Sequence, residues 1–170
     1  MPRRAKKDLI QVRLKKDEQA RFDALAQKYI SDPTVQSMKN FVQHGDTSTF
    51  DHCVSVAQTC LALNERLSLG ADEKALVSAA MLHDFYLYDW HEKAAWHKWH
   101  GFHHAHTAAV NAKEILNLGD TECRAIESHM WPLNITKIPM SRTAWIICLA
   151  DKCCAVSEMF KTAGKNDRCG

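Results

Sequence analysis

The chain has 170 residues, 46% of them hydrophobic, and 22 Lys+Arg against 20 Asp+Glu give a net charge of +2 with its ten histidines neutral. That length suits one domain with its own buried core, built without disulfide or zinc staples. A balance so close to neutrality excludes a strong pull toward nucleic acid or membrane surfaces and does not by itself name a partner. The seven cysteines (53, 60, 123, 148, 153, 154 and 169) are odd in number and form no C-x-x-C pair, so reduced thiols in a cytoplasmic protein are expected.

Residues 1–16 form a basic N-terminal arm in which Leu9, Val12 and Leu14 alternate with Lys and Arg, and no apolar run of signal-peptide or membrane-spanning length follows PRRAKK. From Asp17, Phe22, Leu25, Ala26 and Tyr29 recur at spacings of three and four, which predicts a helix stopped by Ser31-Asp32-Pro33. A short helix is expected over 34–42, then the loop HGD. Thr47 or Ser48 is the expected N-cap of a long helix over 49–68, ended near Gly70. Alanine-rich 72–84 reads as the next helix. The aromatic and histidine-dense stretch 85–101 has poor periodicity and reads as a lid or rim.

Three further helices are expected over 103–117, closed by Leu118-Gly119, over 120–130, stopped by Trp131-Pro132, and over 141–161, begun by Ser141. Strand signals are nearly absent, since no segment alternates apolar and polar residues between turn signals. The expected fold class is therefore all-α, a compact helical bundle occupying 17–161 as a single domain, with a C-terminal tail over 162–170.

Six ionisable residues interrupt the apolar stripes of these helices. His52 shares its stripe with Val56, Thr59 and Leu63, and His83 follows Leu76, Ala79 and Ala80. Asp84 follows Val77, Ala80 and Met81; His104 lines up with Ala108, Ala112 and Ile115. His129 falls with Cys123 and Ile126, and Asp151 with Ala144, Ile147, Cys148, Cys154 and Ala155. His104 is preferred to His103 because the stripe of His103 (Thr107, Val110, Glu114) is more polar.

All six are thus expected to face the interior, where an unpaired charge is expensive to bury. Divalent cations would compensate, because they accept both imidazole nitrogen and carboxylate oxygen from inward-facing helices. Asp84 has two oxygens and could bridge two ions, with His52, His83 and Asp151 completing one and His104 and His129 the other. Each residue taken alone would more often be a hydrogen-bonded core residue; the ordered set carries the reading.

The order H…HD…H…H…D, with His52 in FDHCVSVAQ, the doublet in AAMLHD and Asp151 in LADK, resembles the HD-domain metal-dependent phosphohydrolase superfamily over roughly residues 44–158. His104 and His129 look like the additional histidines of its dinuclear branch. The resemblance implies a helical fold of the HD-domain type and one or two divalent ions drawn from Fe, Mn, Ni, Co, Mg and Zn. It implies cleavage of a phosphomonoester or phosphodiester of a small phosphorylated substrate, with nucleotides among the candidates. The segment after the doublet reads HDFYLYDW rather than HDIGK, and no GYP motif is present, which argues against cyclic dinucleotide cleavage. The same ligand order occurs in HD-fold mixed-valent diiron oxygenases, the alternative activity, and a sensor that binds without turnover is a third reading.

For hydrolysis, bound ions would activate a water and screen phosphate oxygens, with Asp84 or Asp151 orienting the water. Lys152, Lys93, Lys98 and Arg142 are the candidates for a phosphate clamp, and Lys152 is also a candidate for the catalytic group. His44, in QHGD, is placed either against substrate or as a cap of the following helix. Trp90, Trp96, Trp99 and Trp131 would wall the pocket or simply pack, and His91, His97, His100, His103 and His106 include candidates for a proton donor. Stable nucleic-acid or membrane binding is not expected, and the chain is expected to be a monomer or homodimer.

Overall fold

The structure, a computed structural model, describes residues 12–44, 46–90 and 100–166, with the backbone alone at His44, His100 and 161–166. Of the lid expected over 85–101, residues 91–99 lie outside the described residues, as does the arm before Val12, while Phe85 and Tyr86 are buried in the core and 100–101 begin a helix. Helix α1 (Lys16–Ile30) starts where the Glu18 carboxylate turns back to accept the Lys15 backbone N–H at 2.6 Å, and it buries Phe22, Ala26 and Tyr29. Ser31 closes it. Asp32 then caps α2 (Pro33–Gln36) by accepting from the Thr34 and Val35 amides, with Pro33 in the first turn where its lacking N–H costs nothing.

The helix expected over 34–42 ends early: after α2 one 3₁₀ turn covers Ser37–Asn40, and Phe41 goes extended. Residues Val42–His44 (β1) pair antiparallel with Thr47–Ser48 (β2), where a loop was expected. Strands of three and two residues are too short to show alternation, so the sequence carries no strand signal. Thr49 anchors this hairpin by donating its backbone N–H to the Phe41 carbonyl at 2.8 Å.

Ser48 caps α3 (Thr49–Arg66) by accepting from the Asp51 amide. Past its end, Ser68 (φ 51°) and Gly70 (φ 69°) take left-handed conformations, which turn the chain. Asp72 caps α4 (Glu73–Met81), which is shorter than the expected 72–84. Leu82–Asp84 leave the helix in successive tight turns: Leu82 N–H donates to Ala79, Phe85 N–H to Leu82 and Tyr86 N–H to Asp84. The remaining helices are α5 (His100–Leu116), α6 (Asp120–Ser128) and α7 (Arg142–Asn166), the last running five residues beyond its expected end.

Among the described residues the fold is all-α: seven helices with one two-stranded hairpin. Helix α3 packs against α4, α7 and α1, while α6 packs on α5, α7 and α4. Phe22, Met38, Leu61, Leu76, Met81, Leu82, Phe85, Ile126 and Ile147 fill the space between them and are fully buried. Each contributes about 1.5–3 kcal/mol by leaving water. No helix among the described residues is long and apolar enough to cross a membrane.

Candidate metal centre

The apolar stripes do what their spacing demands, and all six interrupting residues come to rest inside the bundle. His52, His83, Asp84, His104, His129 and Asp151 are each 9% exposed or less. They arrive from five places: His52 from the first turns of α3, the His83-Asp84 doublet from the turn after α4, His104 from α5, His129 from the end of α6 and Asp151 from the middle of α7.

Their ligand atoms meet in two groups. His52 Nε2 lies 3.1 Å from Asp151 Oδ1 and 4.0 Å from Asp84 Oδ2, while His83 Nε2 lies 3.4 Å from Asp84 Oδ2 and 3.7 Å from Asp151 Oδ1. On the other side, Asp84 Oδ1 lies 3.3 Å from His104 Nε2 and 3.7 Å from His129 Nε2, and those two nitrogens are 3.1 Å apart. One carboxylate thus faces both groups, one oxygen toward each. The ligand-forming sets that lie within 4.8 Å, His52-His83-Asp151 and His83-Asp84-His129, overlap at His83.

The opposite edges of the rings set which nitrogen faces inward. His83 Nδ1 lies 2.8 Å from the Ala80 carbonyl and His129 Nδ1 2.7 Å from the Ile126 carbonyl. A carbonyl only accepts, so Nδ1 carries a proton, and in the neutral ring it is Nε2 whose lone pair faces the cluster. His52 Nδ1 is held by Glu158 Oε2 at 2.9 Å. Outer partners of this kind orient metal-binding histidines and raise their basicity.

The electrostatics divide the same way. Burial works against a charge on His52, but its hydrogen bonds to Asp151 and Glu158 outweigh it and hold the imidazole up to about 10. His83 is likewise raised, burial being overcome by the Asp84 charge. His129 is pushed down to about 3 by burial and by His83. Asp84 and Asp151 are lowered against their own burial by the surrounding imidazoles.

These residues fit divalent cations. Among the described residues His83 Nε2, in the first group, and Asp84 Oδ1, in the second, are buried and have no hydrogen-bond partner, a costly arrangement that a cation in each group would satisfy. The donors are imidazole nitrogens and carboxylate oxygens, the set suited to Fe, Mn, Co, Ni or Zn. Cys53 is not one of them: its sulfur lies 3.7 Å from His83 Nδ1, on the outer edge of the ring.

Other expected site residues fall elsewhere. Lys152 turns its ammonium away, donating to the His129 carbonyl at 2.9 Å and the Cys148 carbonyl at 3.3 Å, so it braces the backbone that carries His129. Arg142 is not brought to the cluster: it precedes Asp151 by nine residues, about 13 Å along a helix, and donates to the Gly70 carbonyl at 3.2 Å. His44 ends β1. Lys93 and Lys98 lie outside the described residues. His103 is exposed, as is His106, which pairs with Glu127 at 2.8 Å.

Three supporting residues were not anticipated. Gln43 Nε2 donates to Asp84 Oδ2 at 2.6 Å, and the Tyr86 hydroxyl donates to Gln43 Oε1 at 2.6 Å. Glu158 is the third. It follows Asp151 by seven residues, two helical turns, and this spacing was the available signal for it. Gln43 lies on a strand too short to betray itself.

No curated protein and no solved structure matches the chain. The HD-domain family model matches residues 49–156, a stretch that takes in all six cluster residues and well over half of the sequence, and the chain belongs to the HD-domain family of metal-dependent hydrolases.

Proposed function

We propose that the chain is a phosphohydrolase that cleaves a phosphomonoester or phosphodiester of a nucleotide or another small phosphorylated metabolite. The observation that carries this reading is the division of Asp84, with Oδ2 toward His52 and His83 and Oδ1 toward His104 and His129. His52, His83, Asp84, His104, His129 and Asp151 would hold divalent cations, which would supply Lewis acidity toward phosphoryl oxygens and lower the pKa of a bound water.

The chain's own contribution follows from its geometry. The first group offers four donor atoms and the second three, so the second leaves more room for water and substrate oxygens. Asp151, 13% exposed at its side chain, and His104, 6%, are the most open of the six, and they mark the side from which a substrate enters. Asp84, whose Oδ1 faces the second group, orients the attacking water. Gln43 steadies Asp84 from behind with its amide, and Glu158 steadies His52, so neither ligand must reorganise as charge develops on the phosphate.

The test is hydrolysis by purified protein loaded with Mn, Fe, Co, Ni or Mg over a panel of nucleotides and simple phosphoesters, read as inorganic phosphate from monoesters and as the product monoester from diesters, with and without oxygen. Hydrolysis with redox-inert ions is the expected result. Protein with both groups loaded that hydrolyses no member of the panel, or that acts only with iron and consumes oxygen, overturns it.

A further inference from the structure

Helix α7 is apolar on both sides. Its inward face carries Ala144, Ile147, Ala150, Asp151, Cys154 and Glu158, all buried. Its outward face carries Trp145 (39% exposed), Leu149 (56%), exposed Cys153, Val156 (43%) and Phe160 (71%). At about 100° per residue these five positions fall within an arc of roughly 80°, a stripe about 22 Å long. Trp131 extends it at one end, its ring 5.1 Å from that of Trp145. A helix that is hydrophobic all round is normally covered on all sides.

Charge and symmetry identify the cover. Between Thr143 and Phe160 the helix has three charged residues, and none stands free on the stripe. Asp151 and Glu158 point inward, and the Lys152 ammonium is bonded to the His129 and Cys148 carbonyls. A basic segment, such as the chain's own PRRAKK, finds no free acid between Thr143 and Phe160, and an anionic surface finds no free base among those residues. A second copy of the same stripe matches it. Placed antiparallel about a twofold axis passing between residues 152 and 153, Trp145 faces Phe160 and Leu149 faces Val156, large side chains meeting large ones in both halves.

We infer that the chain forms a twofold homodimer through the outward face of α7, with Cys153 beside the axis. Such a contact is isologous, since each side of the stripe repeats on the partner, and closes at two copies. The exposed side chains of the stripe with Met159 amount to on the order of 500 Å² of apolar surface per copy. That is most of the roughly 800 Å² per partner that a stable interface buries, and the polar rim supplies the remainder.

Sedimentation of the full chain between about 1 and 200 μM tests this inference. The expected result is a dimer whose dissociation constant rises at least about tenfold in Leu149→Glu and in Val156→Glu, with helical circular dichroism unchanged. A short bismaleimide should link two copies through Cys153, and Cys153→Ser should abolish the link. The linking experiment uses the native stripe, so it decides the matter even if both glutamate variants fail to fold. A chain that stays monomeric to about 200 μM, a dimer indifferent to both glutamate variants, or a monomer that binds anionic phospholipid vesicles through this stripe overturns the inference.

Discussion

Glu18 and Asp84 are both carboxylates shut away from water, yet the chain compensates them in different ways. Glu18, between α1 and the end of α3, accepts from Arg66 Nε at 3.0 Å and Arg66 Nη2 at 2.7 Å, and these bonds hold it down to about 2. Asp84 and Asp151 have no Lys or Arg side chain bonded to them among the described residues; imidazoles and the Gln43 amide surround them instead. A guanidinium has no lone pair to give a metal, whereas an imidazole turned by its Nδ1 partner does. The difference separates a carboxylate that serves the fold from carboxylates whose surroundings could hold a metal ion.

The strongest way to break this contrast is Asp84→Ala. Removing the one carboxylate that faces both groups should empty both, and elemental analysis of the purified variant should find little bound metal. Hydrolysis should fall by roughly 10³-fold or more. Asp84 sits in a turn beyond α4, so the helical circular dichroism should persist. A variant that keeps its full metal content would mean the six residues are a polar core and nothing more.

Titration distinguishes the two halves of the cluster. Without metal, His52 stays protonated up to about pH 10 and His83 is also raised, so both carry protons at neutral pH that a cation must displace. His129, held down to about 3, carries no second proton above pH 5. Loading the His52 group at pH 7.5 should therefore release protons, and its affinity should rise with pH. Calorimetry in buffers of different ionisation enthalpy measures this; a release near zero would contradict the division. Glu158→Gln should have a smaller effect, weakening metal binding by about 10–100-fold through a loosened, less basic His52, as competition with a chelator would show.

How much of this was written in the sequence follows from helix periodicity. His52, His104 and Asp151 interrupt stripes long enough for the 3.6-residue repeat to aim them inward, and the structure buries each of them. The doublet was legible as a pair at a helix end, though α4 stops at Met81 and turns present the two residues, so its geometry was not. Gln43 escaped because a three-residue strand has no readable period, and Glu158 because an acid near a helix end usually reads as solvated. Long cations were hardest of all: Lys152 and Arg142 both go to nearby carbonyls, and flexible side chains leave no trace of that direction in a pattern.

Glu18→Gln completes the contrast from the folding side. The glutamine keeps the shape but loses the charge that draws Arg66, so unfolding in denaturant at pH 7 should become easier by about 1–2 kcal/mol; the partly exposed guanidinium keeps the loss modest. Because the folded carboxyl is lowered from 4.5 to about 2, its stabilisation is complete above about pH 4.5 and disappears as pH falls through 2. The difference between the two proteins should therefore narrow steadily below pH 4.5. Metal content should not change, since among the described residues Glu18 bonds to Arg66 and the Lys15 amide. A variant that lost metal together with stability would show that the two kinds of buried carboxylate are coupled through α3, which carries both Arg66 and His52.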